Sequence, residues 1–377
     1  MTPGNEAAGP LAGGDRHYTL TRLPGWLQMV DSPPRKQPAV LSKQQLAALP
    51  GQQRACYNDS RAVWHANLGP IRTPQLLALH DGLAEIVEAN RHDGNRNKPA
   101  ALVDSYAGLG KTTAVLDYAR TYHRQQVELR GQTMPEGHRR IPVIYIALTG
   151  HTRIKGLNQA LCRFYNLPTS GTADTLAARA ADAVLCLGTQ VFVIDDVHFL
   201  NMNRRDDQDL ANHLKFLSNA FPVTMIYIGV GVTARGLLRE GLSTAEALYA
   251  QFGRRTTALT LPPFLVETNE GRRQWRRLLL TIERKLVLAD SYPGMLADDL
   301  SDYLYARSTG HFASLMTLIT RGCLRAARTG TERLTTKLMD KVANDAAAEE
   351  ARKELTAAIT AGAFTTRPTP PAQRRAA

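Results

Sequence analysis

The hydrophobic pattern changes character along the chain. From residue 1 to about 60 no period is sustained. Pro3-Gly4, Gly9-Pro10 and Ser32-Pro33-Pro34 interrupt it, and one short helix is predicted over 42–49, capped by Ser42. This stretch reads as a loosely ordered arm. Up to Pro262-Pro263, short apolar runs then alternate with helical periodicities. The runs lie at 101–104, 141–148, 190–195, 223–230 and 256–261. Continuous β-branched runs of this kind suit a parallel sheet covered on both faces. Helical patterns fill the gaps at 75–90, 113–126, 157–165, 173–187 and 207–219. The prediction is an α/β fold: a doubly wound, five-stranded parallel sheet. After Pro262-Pro263 the strand signal stops, and helices such as 271–288 and 313–329 follow. The ending is Pro-rich and closes on Arg374 and Arg375. The expected organisation is a flexible arm over 1–57, an α/β domain over 58–263, an all-helical domain over 264–350 and a disordered basic tail over 351–377.

Composition narrows the classes. The chain has 377 residues, of which 44% are hydrophobic, enough for a globular core. No apolar run is long enough for a membrane-spanning helix, and the N-terminus lacks a signal peptide's pattern. The four cysteines are scattered, which excludes a disulfide framework or Cys-based zinc site and fits a reducing, cytoplasmic location. The 10 histidines show no metal spacing either. The net charge of +12 points toward nucleic acid or another anionic surface. The bias has a second origin, because 36 of the 46 basic residues are Arg and GC-rich coding produces the same excess.

The strongest chemical signal is Ser105-Tyr106-Ala107-Gly108-Leu109-Gly110-Lys111-Thr112-Thr113. It follows a predicted strand and opens a predicted helix, which is the setting of a phosphate-binding P-loop. Gly108 and Gly110 let backbone N–H groups turn toward phosphate, and the helix N-terminus adds its dipole. Lys111 is expected to neutralise the β- and γ-phosphates, and the Thr112 hydroxyl to bind Mg²⁺. Ser105 stands where the motif has its first glycine. The second signal is Val191-Phe192-Val193-Ile194-Asp195-Asp196, 84 residues after Lys111. An apolar run ending in two carboxylates fits a Walker B strand. Asp195 is expected to hold Mg²⁺ through water, and Asp196 to polarise the attacking water. A Glu is commoner at that place, so slow hydrolysis or a mainly switching role follows from the shorter side chain. Thr233, at the tip of the fourth strand, is the candidate γ-phosphate sensor, the alternative being a plain turn. Arg254 and Arg255, before the fifth strand, are candidate arginine fingers toward a neighbour's γ-phosphate, or a solvated basic pair.

Together, this P-loop, the Asp-Asp pair, the arginines before strand five and the helical C-terminal part resemble an AAA+ ATPase with a helical lid. A narrower resemblance is to the TniB/TnsC transposition ATPases. It runs through Arg61-Ala62-Val63-Trp64 to Ile71-Arg72-Thr73, Asp195-Asp196-Val197-His198, Trp275-Arg276-Arg277-Leu278-Leu279 and Ser308-Thr309-Gly310-His311-Phe312, over roughly residues 58–345. That family usually carries Asp-Glu-x-His, so Asp196 departs from it. No arginine follows Gly310 where many AAA+ lids carry a second sensor. The resemblance implies an ATP-dependent, sequence-nonspecific DNA-binding protein that assembles as a ring or filament on double-stranded DNA and activates a DDE transposase, often with a TniQ-like adaptor. A nucleotide switch acting on protein partners in signalling or defence, and a helicase loader, are the competing classes.

The loop after the second strand is the expected DNA contact. Thr149, Gly150, His151, Thr152, Arg153, Ile154 and Lys155 supply hydroxyls and two cations and no acid, which suits phosphate contact without base readout. An ordinary polar loop is the alternative. The cluster Arg272, Arg273, Arg276 and Arg277 spreads over more than one helix face and reads first as a solvated or subunit-facing surface.

Overall fold

The computed structural model describes residues 18–92, 98–199, 205–221, 223–232 and 255–369. Its centre is one sheet of five parallel strands: β1 (Ala100–Asp104), β2 (Val143–Ala147), β3 (Val191–Asp195), β4 (Thr224–Gly229) and β5 (Thr256–Leu259). They lie in the order β2-β3-β4-β1-β5. β1, β3 and β4 are buried along their whole length, which is why their sequences carry no alternation. β5 pairs only with β1 and is partly exposed, so its Thr-Thr-Ala-Leu is the least apolar strand. Every strand expected from the sequence is present, with ends moved by at most two residues. The crossover helices are Lys111–Arg130, Ile154–Phe164, Ala173–Cys186 and Arg205–Ala220, and Pro74–His92 precedes β1.

Contacts divide the chain into two units, and the division is not linear. Residues 18–32 and 74–262 form the sheet unit; residues 33–73 and 263–369 form a helical unit. The expected arm over 1–57 is corrected for its described part. Helices Leu23–Asp31, Lys43–Ala48 and Gly51–Ala66 occupy it. Pro24 sits in the first turn, where its missing N–H costs nothing. A Cβ on Gly25 would lie 2.4 Å from the Thr19 carbonyl oxygen, so that position needs glycine. Trp26 is fully buried in the sheet unit's core, and its indole N–H donates to Nδ1 of His123 at 3.0 Å. Arg124 donates to the Val30 carbonyl at 2.6 Å, and Arg120 and Arg124 both hold the Ser32 carbonyl. Ser42 caps as expected, in a reciprocal pair with Gln45.

The helical unit gathers Gly51–Ala66, Asn269–Glu283, Ser301–Ala306, Phe312–Thr329 and Ala346–Thr360. Its core holds Trp64 and Trp275, the latter edge-on to Tyr305 at 5.2 Å. Arg61 and Glu332 form a buried two-pronged ion pair at 2.6 and 2.7 Å. The helix expected over 271–288 stops at Glu283, because the Val287 N–H turns to donate to Nε2 of His65 at 2.9 Å. The expected disordered tail from 351 is corrected too. Helix Ala346–Thr360 runs through that boundary, and Thr366 beyond it is buried against Ser301 and Asp302. Its start is capped by Asp345 rather than broken.

Candidate nucleotide site

β1 delivers the chain to the phosphate loop. Asp104, its last residue, is buried, and Oδ1 accepts the Val232 N–H at 3.0 Å, joining the ends of β1 and β4. Ser105 follows in ordinary backbone geometry, so a side chain is tolerated where the motif has glycine. Its hydroxyl donates to the Asp104 carbonyl at 2.6 Å and accepts the Leu261 N–H at 2.7 Å. Gly108 and Gly110 have φ of 75° and 83°, the left-handed region that a Cβ disfavours. Leu109 between them is buried and anchors the loop, while Tyr106 is 73% exposed. Gly110 caps helix Lys111–Arg130, whose first turn holds Thr112, half-buried, and Thr113, exposed. The first N–H groups of that helix have no partner within it, so the loop and helix together form a donor-rich concavity.

Lys111 is buried to 7% exposure, and its Nζ donates to the carbonyls of Ser105 at 2.9 Å and Tyr106 at 2.6 Å. Burial pulls its pKa down, opposed by the charges of Asp104, Asp195 and Asp196. The P-loop lysine and the end of β3 are therefore within electrostatic reach.

Asp195 closes β3 and is itself buried. Its two oxygens are separately held. Oδ1 accepts the Asp196 N–H at 2.8 Å, and Oδ2 accepts the Tyr145 hydroxyl at 2.9 Å. Burial and Asp195 push the Tyr145 phenol well above its ordinary pKa, so it stays a donor. Asp196 has φ of 60°, rare for a residue with a Cβ but tolerated by Asp. Its carboxyl is 44% exposed. Its pKa is raised by burial and by Asp195, with His198 and Lys111 pulling it back. Nδ1 of His198 lies 3.8 Å from Asp196 Oδ1, and the imidazole leans on Phe199 with ring centres 4.5 Å apart.

Thr233 and Arg254 lie outside the described residues. Arg255 is exposed, and its carbonyl accepts the Ala100 N–H at 2.7 Å. That puts it at the opening end of β1, opposite the strand end that carries the P-loop, so it does not reach this chain's own loop. The loop after β2 is at the same strand ends as the P-loop, since the sheet is parallel. Thr149 and Thr152 close it: the Thr149 N–H donates to Thr152 Oγ1 at 2.9 Å, and the Thr152 N–H to the Thr149 carbonyl at 3.0 Å. Thr152 is half-buried in this turn, whereas His151, Arg153 and Lys155 are exposed.

One side chain of this site escapes a reading of the sequence, and the bonding of another does. Tyr145 is an aromatic inside an apolar run, and the only hint is that it alone there carries a polar tip. Ser105 shows as a departure from the motif, without the bond to Leu261 that explains it. The donor set suits a nucleoside triphosphate with Mg²⁺: left-handed glycines, a buried ammonium, a hydroxyl in the first turn and a carboxylate fixed through both oxygens. Among the described residues no cluster of His, Cys, Asp and Glu forms a metal site of its own.

Residues 95–238 match the AAA domain family. Among solved structures, the chain is similar to the ORC1 protein of Aeropyrum pernix in complex with DNA, at 17% identity and a TM-score of 0.54, over 80% of this chain and 71% of that one. It is similar to the ORC2 protein of Aeropyrum pernix in ADPNP–ADP complexes, at 14% identity and a TM-score of 0.53, over 77% and 71%. Cdc6p from Pyrobaculum aerophilum follows at 16% identity and a TM-score of 0.50, over 72% and 68%. A search of curated proteins returned no match. No helix among the described residues is long and apolar enough to cross a membrane. At such identities the likeness speaks for architecture: the chain carries an AAA domain within the fold of AAA+ P-loop NTPases.

Proposed function

We propose that the protein is an ATPase that binds double-stranded DNA without sequence preference, oligomerises on it and regulates transposition. The observation that carries the nucleotide part is the convergence of Lys111, Asp195 and Asp196, with Asp195 held by Tyr145 and by the Asp196 N–H. Backbone N–H groups of 106–111 would cradle the phosphates, and Lys111 would neutralise them. Thr112 and Asp195 would hold Mg²⁺, whose charge offsets that developing on the transferred phosphoryl group. Asp196, with its raised pKa, suits a group that orients and polarises water, and Thr233 would sense the γ-phosphate. Arg254 or Arg255 would act on the nucleotide of a neighbouring copy, since Arg255 lies at the strand end opposite its own P-loop. The exposed His151, Arg153 and Lys155, with Thr149 and Thr152, would meet DNA phosphates. The transposition role rests on the ordered TniB/TnsC-like pieces over 58–345, and with it the DDE transposase and TniQ-like adaptor as partners.

Negative-stain imaging with a non-hydrolysable ATP analogue, with and without duplex DNA, tests assembly. Ordered rings or filaments are expected only when both are present. Lys111→Ala should weaken nucleotide binding by roughly a hundredfold or more, read with a fluorescent ATP analogue. Arg153→Ala with Lys155→Ala should weaken DNA binding and leave nucleotide affinity unchanged. Assembly that ignores DNA altogether would sink the reading in favour of a protein-directed switch.

A further inference from the structure

The helical unit carries a basic groove that the nucleotide chemistry does not use. Its volume is about 540 Å³, and its walls include Asn58, Arg321, Leu324, Arg325, Arg328 and Lys341. The three arginines sit on helix Phe312–Thr329 at positions i, i+4 and i+7, one stripe along one face. The opposite face, with Leu315, Leu318, Ile319 and Cys323, is buried in the core. The stripe is therefore the solvent side of an amphipathic helix, and Lys341 extends it from the following turn.

Two of the guanidinium groups are positioned by backbone. Arg321 donates to the Ala343 carbonyl at 2.8 Å, and Arg325 to the Lys341 carbonyl at 2.9 Å. Each bond uses one arm of the fork and neutralises none of its charge. Elsewhere in this unit arginines meet carboxylates: Arg276 with Asp298, Arg307 with Glu349, Arg352 with Asp340, Arg273 with Glu270. Among the described residues, none of the four groove cations has such a partner. The nearest acids in sequence to these cations are engaged elsewhere: Glu332 with Arg61, Asp340 with Arg352, and Asp345 as cap of helix Ala346–Thr360. Four cations, two of them held in place by backbone carbonyls and none paired with a carboxylate among the described residues, make a surface for an extended polyanion.

We infer that this groove binds the phosphodiester backbone of duplex DNA, as a second contact surface besides the loop after β2; the inference rests on the DNA-binding reading. The stripe from Arg321 to Arg328 spans about 10 Å at 1.5 Å per residue. That is the rise of about three phosphates at 3.4 Å each along one strand. Leu324, 41% exposed between the arginines, offers an apolar contact for the sugar edge. Asn58 is the only uncharged side-chain amide in the walls, so the surface orients DNA without reading bases.

The test uses the full chain with a non-hydrolysable ATP analogue and a fluorescein-labelled 30-base-pair duplex, titrated by anisotropy between 50 and 200 mM salt. Arg328→Gln with Lys341→Gln removes two charges at exposed positions whose side chains hold no backbone. The expected result is roughly tenfold weaker binding at about 150 mM salt, and a log–log salt slope shallower by about 1.8. Arg328→Lys with Lys341→Arg should restore both. Unchanged affinity and slope, with Arg153→Ala/Lys155→Ala still weakening binding, would overturn the groove and leave the loop standing; an acidic protein segment would then be the groove's occupant. A wild-type chain that fails to bind duplex DNA would overturn the DNA-binding reading itself, and the groove with it.

Discussion

Tyr145 decides how the carboxylate of Asp195 faces, because its hydroxyl holds the one oxygen that the Asp196 N–H does not. Tyr145→Phe removes that donor with almost no change in shape. Nucleotide affinity should stay within about twofold, while ATP turnover drops about tenfold, or 1.4 kcal/mol of barrier. Stability should fall by about 1 kcal/mol, the worth of one buried hydrogen bond. Unchanged turnover in a steady-state assay would mean that the backbone N–H of Asp196 orients Asp195 unaided. Lys111 and Asp195 were legible beforehand because glycines and carboxylates interrupt apolar runs at spacings that only phosphate chemistry needs. Tyr145 was not, since a tyrosine in such a run looks like any core aromatic; Tyr227 in β4 is buried in the same manner.

At the scale of elements, short apolar runs bounded by turn residues marked all five strands, and three-to-four periodicity marked the crossover helices. Helix Leu23–Asp31 was hidden by Pro24-Gly25, a pair that usually signals a turn. Here the proline starts a helix and the glycine permits the approach of Thr19. A nine-residue helix cannot persist by itself in water, so its order comes from docking. Trp26 is the anchor: fully buried, with its N–H on His123. Trp26→Ala should lower the stability of the sheet unit by about 3–5 kcal/mol, the range for emptying a large aromatic site. Urea unfolding followed by far-ultraviolet circular dichroism reads this, and a loss below about 1 kcal/mol would mean that the helix is an ornament on the fold.

For the whole molecule, each unit contains one buried histidine that works as a hydrogen-bond acceptor. His65 takes the Val287 N–H, and His123 takes the Trp26 indole N–H. Burial first, then nearby arginine charge, lowers both from 6.5 to about 4. The unfolded chain therefore binds protons between pH 6.5 and 4 that the folded chain does not. Stability is full above about pH 6.5 and falls as pH drops toward 4, by up to about 3 kcal/mol for each histidine. The urea midpoint should accordingly move down between pH 7 and pH 5; a midpoint that rises over this interval would contradict the assignment. The two-unit division itself was not legible, because a linear scan finds changes of composition at residues 58 and 263 but cannot see the chain return to a unit it has left. That return bears on synthesis. The chain leaves the sheet unit after residue 32, crosses to it again at 74 and departs once more at 263. Arg61 emerges from the ribosome 271 residues ahead of Glu332, the carboxylate that neutralises it in the finished core. During that interval residues 74–262 of the sheet unit are made, and Trp64 and Arg61 wait on an unfinished surface. Folding of the first-made helical segment is thus postponed until the segment carrying Glu332 has emerged, and a chain stalled near residue 262 would present it to chaperones rather than to its own partner.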